Sequence, residues 1–364
     1  HDNTEYQESI DIWKKILEID STYYRAYKKI SDTYCNHMGG EYEKALEYAQ
    51  KYMEKCPNES KSFRKIAEIY YRMGNYEFSK EYYEKAFMID SDNSNYMIGI
   101  AKSDLNLYNF SDAKDQLEEA QSLCKGPRDL IELYNGYIQY HDFRGQIELL
   151  LEYRSKKEDA FEEAEDEIDV QLNKIFRSVN FIRINQIDTA TNHFEKIVSE
   201  TIEPWNLLLG GLGGIIIGGV SENKNLVNDG LQKMEKFKKI KDWKFLAVWK
   251  NLGLTFIHYL NGELDKTIEY ANKTFDIYSD FDSLLRPIIL RAYNQNKDYL
   301  NAKDIGNDYL NKYDNKPLIL LEIAKAHLGL NENDKANEYL TKLLGIWEDA
   351  DEEYIYYQEA KKLW

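Results

Sequence analysis

The chain has 364 residues, 43% hydrophobic and 30% charged, a balance that excludes a disordered polymer and a length beyond which one compact core stops growing. Two or three domains or an elongated repeat array are therefore expected. The formal charge of −17 argues against duplex DNA or an anionic membrane as partners of the bulk surface, since both reward positive charge.

Three cysteines, Cys35, Cys56 and Cys124, form no C-x-x-C pair and are odd in number. They speak against a zinc site or a disulfide framework and for a reducing, cytoplasmic compartment. The start, "HDNTEYQESI", shows no signal peptide. Its first periodic segment, Ile10 to Ile19, begins almost at once, as in a piece of a longer protein.

In chain order, residues 1–22 read as the second helix of a truncated repeat. A first array is expected over 23–158. Within it, Ala45, Ser79 and Ala113 recur at intervals of 34. Each is followed four residues on by Ala49, Tyr83 or Leu117, and three further on by Tyr52, Ala86 or Ala120. Offsets of 0, +4 and +7 mark one face of an α-helix. Residues 159–171, "DAFEEAEDEIDVQ", hold seven acidic residues and no basic one, and read as an acidic insert, either a solvated face or a long loop. A second array is expected over 172–347, where Ala302 and Ala336 are again 34 apart. Residues 348–364 read as a capping helix, with aromatics and charges alternating as a terminal unit requires.

Before each of these helices lies another, with apolar residues spaced W-x2-L-small-x2-aromatic. Trp249, Leu252, Gly253 and Phe256 match it best. Phe63, Ile66, Ala67 and Tyr70 follow it, as do Leu320, Ile323, Ala324 and His327. The small residue is needed because antiparallel helices joined by a tight turn approach to about 8–10 Å. Turn signals sit at "RMGNY" (72–76), "LNGEL" (260–264) and "LNEND" (330–334).

These features resemble the tetratricopeptide repeat (TPR) family across nearly the whole chain. The resemblance implies an all-α, right-handed solenoid of about nine helical hairpins with a C-terminal capping helix, and a protein-protein interaction function. The small slots fall at Ser31, Ala67, Ala101, about Asn135, Ser178, Gly213, Gly253, Leu290 and Ala324. Leu290 is too large for its slot, so that repeat is expected to be splayed. The uncharged stretch "LLLGGLGGIIIGG" (207–219) fits as a first helix through Leu209, Leu212, Gly213 and Ile216. It lacks the lysine of a phosphate loop and is too rich in glycine for a membrane span. It is either a tightly packed helix or, because each glycine costs a helix roughly 0.5–1 kcal/mol, a hinge.

No catalytic constellation stands out. The six histidines are scattered, and His258 and His327 lie on packing faces. No metal and no cofactor are implied. The chain is expected not to be an enzyme, and to bind a protein or peptide along the inner wall that first helices line in the family. Offsets of −6, −3, +1 and +4 from each small slot mark that wall. In the first array they select Arg25, Lys28, Lys61, Arg64, Tyr71 and Lys102, a basic lining suited to an acidic ligand. In the second array they select a more apolar groove of Lys250, Leu254, Ile257, Leu318, Leu321 and Lys325. The chaperone-carboxylate clamp of some family members is not matched: of Lys28, Asp32, Lys65, Asn95 and Gly99, only Lys28 is the residue that clamp uses. Nucleic acid and membrane are expected to be excluded as partners, and a homodimer is left open. Two alternatives remain: a sensor or regulatory part of a larger signalling protein such as a bacterial nucleotide-switch ATPase, and an (α/α) barrel hydrolase with paired carboxylates in a central cavity.

Overall fold

The computed structural model describes residues 3–36, 40–201, 205–237, 243–277, 282–313 and 316–364. The turn "CNHMGG" at 35–40 lies partly outside them. Among the described residues there are twenty helices and no strand. Helix α1 (Asn3–Ile19) precedes nine hairpins. These are α2–α3 (Tyr24–Asn36, Tyr42–Lys55), α4–α5 (Ser60–Arg72, Tyr76–Ile89), α6–α7 (Ser94–Asn106, Phe110–Leu123) and α8–α9 (Pro127–Arg144, Ile147–Glu163). Then come α10–α11 (Glu167–Arg183, Ile187–Glu200), α12–α13 (Trp205–Val220, Lys224–Lys236) and α14–α15 (Trp243–Leu260, Leu264–Ile277). The last are α16–α17 (Asp282–Gln295, Tyr299–Tyr313) and α18–α19 (Pro317–Gly329, Asn333–Ile346), followed by α20 (Ile355–Leu363). The chain is thus an all-α solenoid of TPR-like hairpins.

One local device ends helix after helix. A single residue with positive φ sits at nine of the corners: Gly74, Tyr108, Gly145, Glu165, Asn185, Glu222, Gly262, Lys297 and Asn331. The next amide donates back five residues, as Asn75 N to Tyr70 O (2.9 Å), Asn223 N to Gly218 O (2.7 Å) and Glu332 N to His327 O (2.9 Å). This satisfies carbonyls that a helix end would otherwise orphan. Asn75 and Asn223 then cap the following helix, accepting from the amides of Phe78 and Leu226.

Glu165 is one of these corners, which corrects the reading of 159–171 as an insert. Residues 159–163 end α9, 164–166 turn, and 167–171 begin α10. The wide spacing there comes from longer helices: α8, α9 and α10 have 18, 17 and 17 residues against 13 or 14 in α2 to α7.

Small slots are where helices touch. Ser31, Ala67, Ser178 and Ala324 are fully buried. In the fourth repeat the slot is Gly136 and not Asn135: a Cβ there would stand 2.6 Å from Leu117 Cδ2. Leu290 does not splay its repeat. It is fully buried, and Gly306 on the partner helix lets Ile323 in beside it: a Cβ on Gly306 would stand 2.5 Å from Ile323 Cγ1.

Residues Trp205–Val220 are one continuous helix, buried from Leu208 to Gly219. Its glycines bring two backbones into contact. A Cβ on Gly214 would lie 3.1 Å from Gly230 Cα, and one on Gly230 would lie 2.8 Å from both Gly211 O and Ile215 N. The glycines are spent on close approach of α12 and α13, which offsets their propensity cost.

The chain divides into two compact units, residues 1–136 with 312–314 and residues 137–311 with 315–364, the division falling inside α8. In the first unit, α1 contributes Ile10 to a core with Ile30, Ala45, Ala49 and Ile66. In the second, the core runs through Leu212, Ile215, Leu252, Phe256 and Leu285. The second unit also returns on itself. Trp347, fully buried, donates Nε1 to Phe143 O at 3.1 Å. Arg144 reaches Glu348 (3.0 Å) and Asp349 (2.5 Å), and Asp351 accepts from Glu148 N at 2.7 Å. Arg183 donates to Tyr354 Oη at 2.9 Å and pairs with Asp142. Gly145, at φ +71°, admits this return: a Cβ there would sit 2.9 Å from Ala350 and Tyr354.

Candidate functional site

In the first unit, the first helices of successive hairpins lie side by side. Lys65 Nζ pairs with Asp32 at 2.6 Å, joining α4 to α2. Tyr96 donates to Ser60 Oγ at 2.9 Å, and Asn106 Nδ2 to Tyr71 Oη at 3.2 Å, joining α6 to α4. The residues selected by helical offset therefore share one wall, but their charges are not equally available. Arg64 binds Glu68 (3.2 Å), and Lys65 also reaches Glu68 (3.0 Å). Lys102 stands 3.9 Å from Glu132; burial holds its ammonium below the usual range, with Glu132 opposing. Burial pushes the Tyr71 phenol up, against the bond from Asn106. Arg25 is exposed and lies over the Tyr24 ring, 6.0 Å from its centroid. Lys61 is exposed and Lys28 half-buried, and neither has a carboxylate partner among the described residues. The wall thus carries Arg25, Lys28 and Lys61 as open cations beside a neutralised Asp32–Arg64–Lys65–Glu68 cluster.

The second groove does not form as one surface. Lys250 and Leu254 line a depression of about 210 Å³ with Leu231, Met234, Glu235 and Leu246. Ile257 packs against the core and Leu318 is half-buried. Leu321 is fully buried and belongs to the core. A helix offset cannot tell a lining position from a packed one once a neighbouring helix covers it. Lys325 lies elsewhere, in a cavity of about 580 Å³ inside the second unit.

That cavity is walled by the ends of α10 and α12 and by α16, α18 and α20. Behind its wall Glu322 is fully buried. Arg291 holds it through Nε (3.0 Å) and a terminal nitrogen (2.9 Å), Lys325 at 3.0 Å, and Asn294 Nδ2 at 3.1 Å. Lys325 also reaches Glu359 of α20 at 2.8 Å. Arg291 lies 5.1 Å from the Tyr356 ring centroid. Burial works against the Arg291 charge, but Glu322 and the tyrosines overrule it and hold it well above its ordinary value. The expected linings leave out Arg291 and Asn294, although +1 and +4 from Leu290 select both. The bulk of Leu290 hides that repeat from a rule keyed to small residues. Glu322 and Glu359 carry no sequence signal in so acidic a chain.

His258 and His327 are satisfied within their own corners, bonded to Glu263 (2.9 Å) and Glu332 (2.6 Å) and stacked on Tyr270 and Tyr339. Among the described residues no three His, Cys, Asp or Glu side chains gather as a metal site. No described helix is long and apolar enough to cross a membrane.

No protein-family model matches the chain, and no curated protein matches it in sequence. Solved structures do resemble it. The P58(IPK) TPR domain is 12% identical, covering 99% of this chain and 98% of that one, with a TM-score of 0.27. The C-terminal part of a TPR repeat-containing protein from Cytophaga hutchinsonii is 17% identical over 74% of this chain and 95% of that one, at 0.36. A human IFIT1 dimer with PPP-AAAA is 15% identical over 93% and 78%, at 0.44. These likenesses are of helical-repeat architecture; the chain's own hairpins define its fold.

The last of them corrects one expectation. A helical-repeat protein is seen there with an oligonucleotide, so the exclusion of nucleic acid drawn from net charge does not stand. The physical reason is that −17 is an average over the surface, whereas a ligand meets a local wall, and the wall of α2, α4 and α6 is locally basic.

Proposed function

We propose that the chain is a non-catalytic binding scaffold whose first unit receives an acidic protein segment along α2, α4 and α6. The observation that carries this is the row of open cations, Arg25, Lys28 and Lys61, on helices held in register by Lys65–Asp32 and Tyr96–Ser60. A segment bearing carboxylates would neutralise them without disturbing the paired cluster beside them. The same pairing supports a binding role over catalysis. General acid–base work on a substrate needs carboxylates held in different protonation states and open to it. In the second unit's cavity Glu322 and Glu359 are instead bridged by Lys325.

Affinity capture from the source cells followed by a double charge reversal, Lys28→Glu with Lys61→Glu, tests the reading. Two cations lost and two repulsions gained at a solvated wall predict about a tenfold or greater loss of affinity, with steep salt dependence and an unchanged melting temperature. Full retention of the partner by that variant rejects the first-unit wall. Capture of RNA rather than protein replaces the ligand class.

A further inference from the structure

The cavity of the second unit is a separate place from the wall of the first, and its chemistry asks for a different explanation. A fully buried carboxylate is costly, and hairpins can stack without one; Glu322 is kept because two cations and an amide hold it. Those cations, Arg291 and Lys325, face the cavity. Two cations against one buried anion leave one charge over, and α20 supplies the missing carboxylate: Glu359 Oε1 lies 2.8 Å from Lys325 Nζ. Glu359 is itself over a third exposed, so solvent competes for it.

We propose that Glu359 is a built-in stand-in for a ligand carboxylate, and that the second unit's cavity binds an aspartate or glutamate side chain of an extended peptide, which displaces Glu359 from Lys325. The rest of the lining suits a peptide. The carboxamide of Asn185, and that of Gln295 beyond its bond to Tyr259, each offer a donor and an acceptor, as a peptide backbone requires, while the Asn294 amide stays committed to Glu322. Ile187 and Ile355 give apolar contact beside them. Charge decides against phosphate. With Glu222 also in the lining, the cavity and its wall already set three carboxylates, Glu222, Glu322 and Glu359, against the two cations. Exchanging Glu359 for one carboxylate keeps that balance, whereas a dianion would add to the excess of negative charge.

The test uses the full chain and N-acetylglutamate amide as the probe, followed by isoleucine methyl NMR. Glu359→Gln removes the internal competitor and leaves Lys325 paired with Glu322, so the probe should bind about tenfold more tightly, as it does when a competing state holding most of the population is withdrawn. Lys325→Met in the Glu359→Gln background should cost about tenfold or more, the worth of a charge-assisted hydrogen bond. N-acetylglutamine amide should not bind. Shifts should centre on the methyls of Ile187 and Ile355. Equal affinity of the wild type and Glu359→Gln overturns the proposal, as does tighter binding of inorganic phosphate than of the probe or no saturable response in either protein. If Lys325→Met fails to fold, Lys325→Gln serves, and undiminished binding there overturns it equally. Because none of these residues lies in the first unit, this result stands apart from the fate of the Lys28 and Lys61 variant.

Discussion

Gly230 sits where α12 and α13 meet backbone to backbone, and replacing it with alanine should destabilise the second unit. Alanine is the better helix former by about 1 kcal/mol, so propensity alone predicts a gain. The structure predicts the opposite. The new Cβ would stand 2.8 Å from Gly211 O and Ile215 N and 3.0 Å from Gly214 C. Ordinary contact begins near 3.4 Å. The neighbours are main chain inside a helix, so no side chain can swing aside. The two helices must separate by about 0.6 Å, loosening the contacts at Gly211 and Gly214 as well; overpacking of this kind costs about 1–3 kcal/mol. Neighbours that cannot move aside put the cost at the upper end of that range, and after the propensity gain the net loss is about 2 kcal/mol, so a melting temperature lower by about 4–8 °C follows for a unit of this size. Thermal melting by far-UV circular dichroism measures it. Gly345→Ala is the control: it lies in α19 with no atom within 4 Å of the added Cβ, and should stabilise by about 0.5–1 kcal/mol. A Gly230→Ala protein as stable as the wild type would refute the backbone-contact reasoning.

Other outcomes follow from the same structure. Hydrogen exchange across 205–220 should be as slow as in neighbouring helices, since α12 is buried from Leu208 to Gly219; rapid exchange there would restore the hinge. Trp347→Ala should cost about 3–5 kcal/mol, because a fully buried indole and its bond to Phe143 O are lost where the second unit returns on itself; a melt unchanged by it would show that contact to be dispensable. His193, 2.8 Å from Ser178 Oγ, is held below its usual 6.5 by burial and then by Arg177 and Lys174. A base with a depressed folded value contributes stability above its unfolded value and loses it as pH falls through the folded one. Stability should therefore drop below pH 6.5 in the wild type and more gently in His193→Gln, with denaturant titration at several pH values as the check.

The repeat was legible because it is local. A slot such as Ala45 must be small for two helices to pass, and positions four and seven residues on, Ala49 and Tyr52, pack on the same face, so a period near 34 is written into composition at fixed offsets. The glycine-rich helix was legible in kind, as a template match, but two readings stayed open until Gly230 was seen against Gly211 and Gly214. The first unit's wall was half legible: offsets select Lys28, Lys61 and Arg64, but only the structure shows Glu68 neutralising Arg64 and leaving Lys28 and Lys61 open.

Sequence by itself determined the helices, their pairing and most of the contact slots, because each depends on residues fewer than about forty apart and on one helical face repeating. Only the tertiary structure decided that Trp347 meets Phe143 and Arg144 meets Glu348 across some 200 residues, that Leu321 is core while Lys325 is lining, and that Glu322 lies buried among Arg291, Asn294 and Lys325. Those outcomes depend on how far each hairpin rotates on the one before it. Small rotations add along the chain, and no single residue type records their sum.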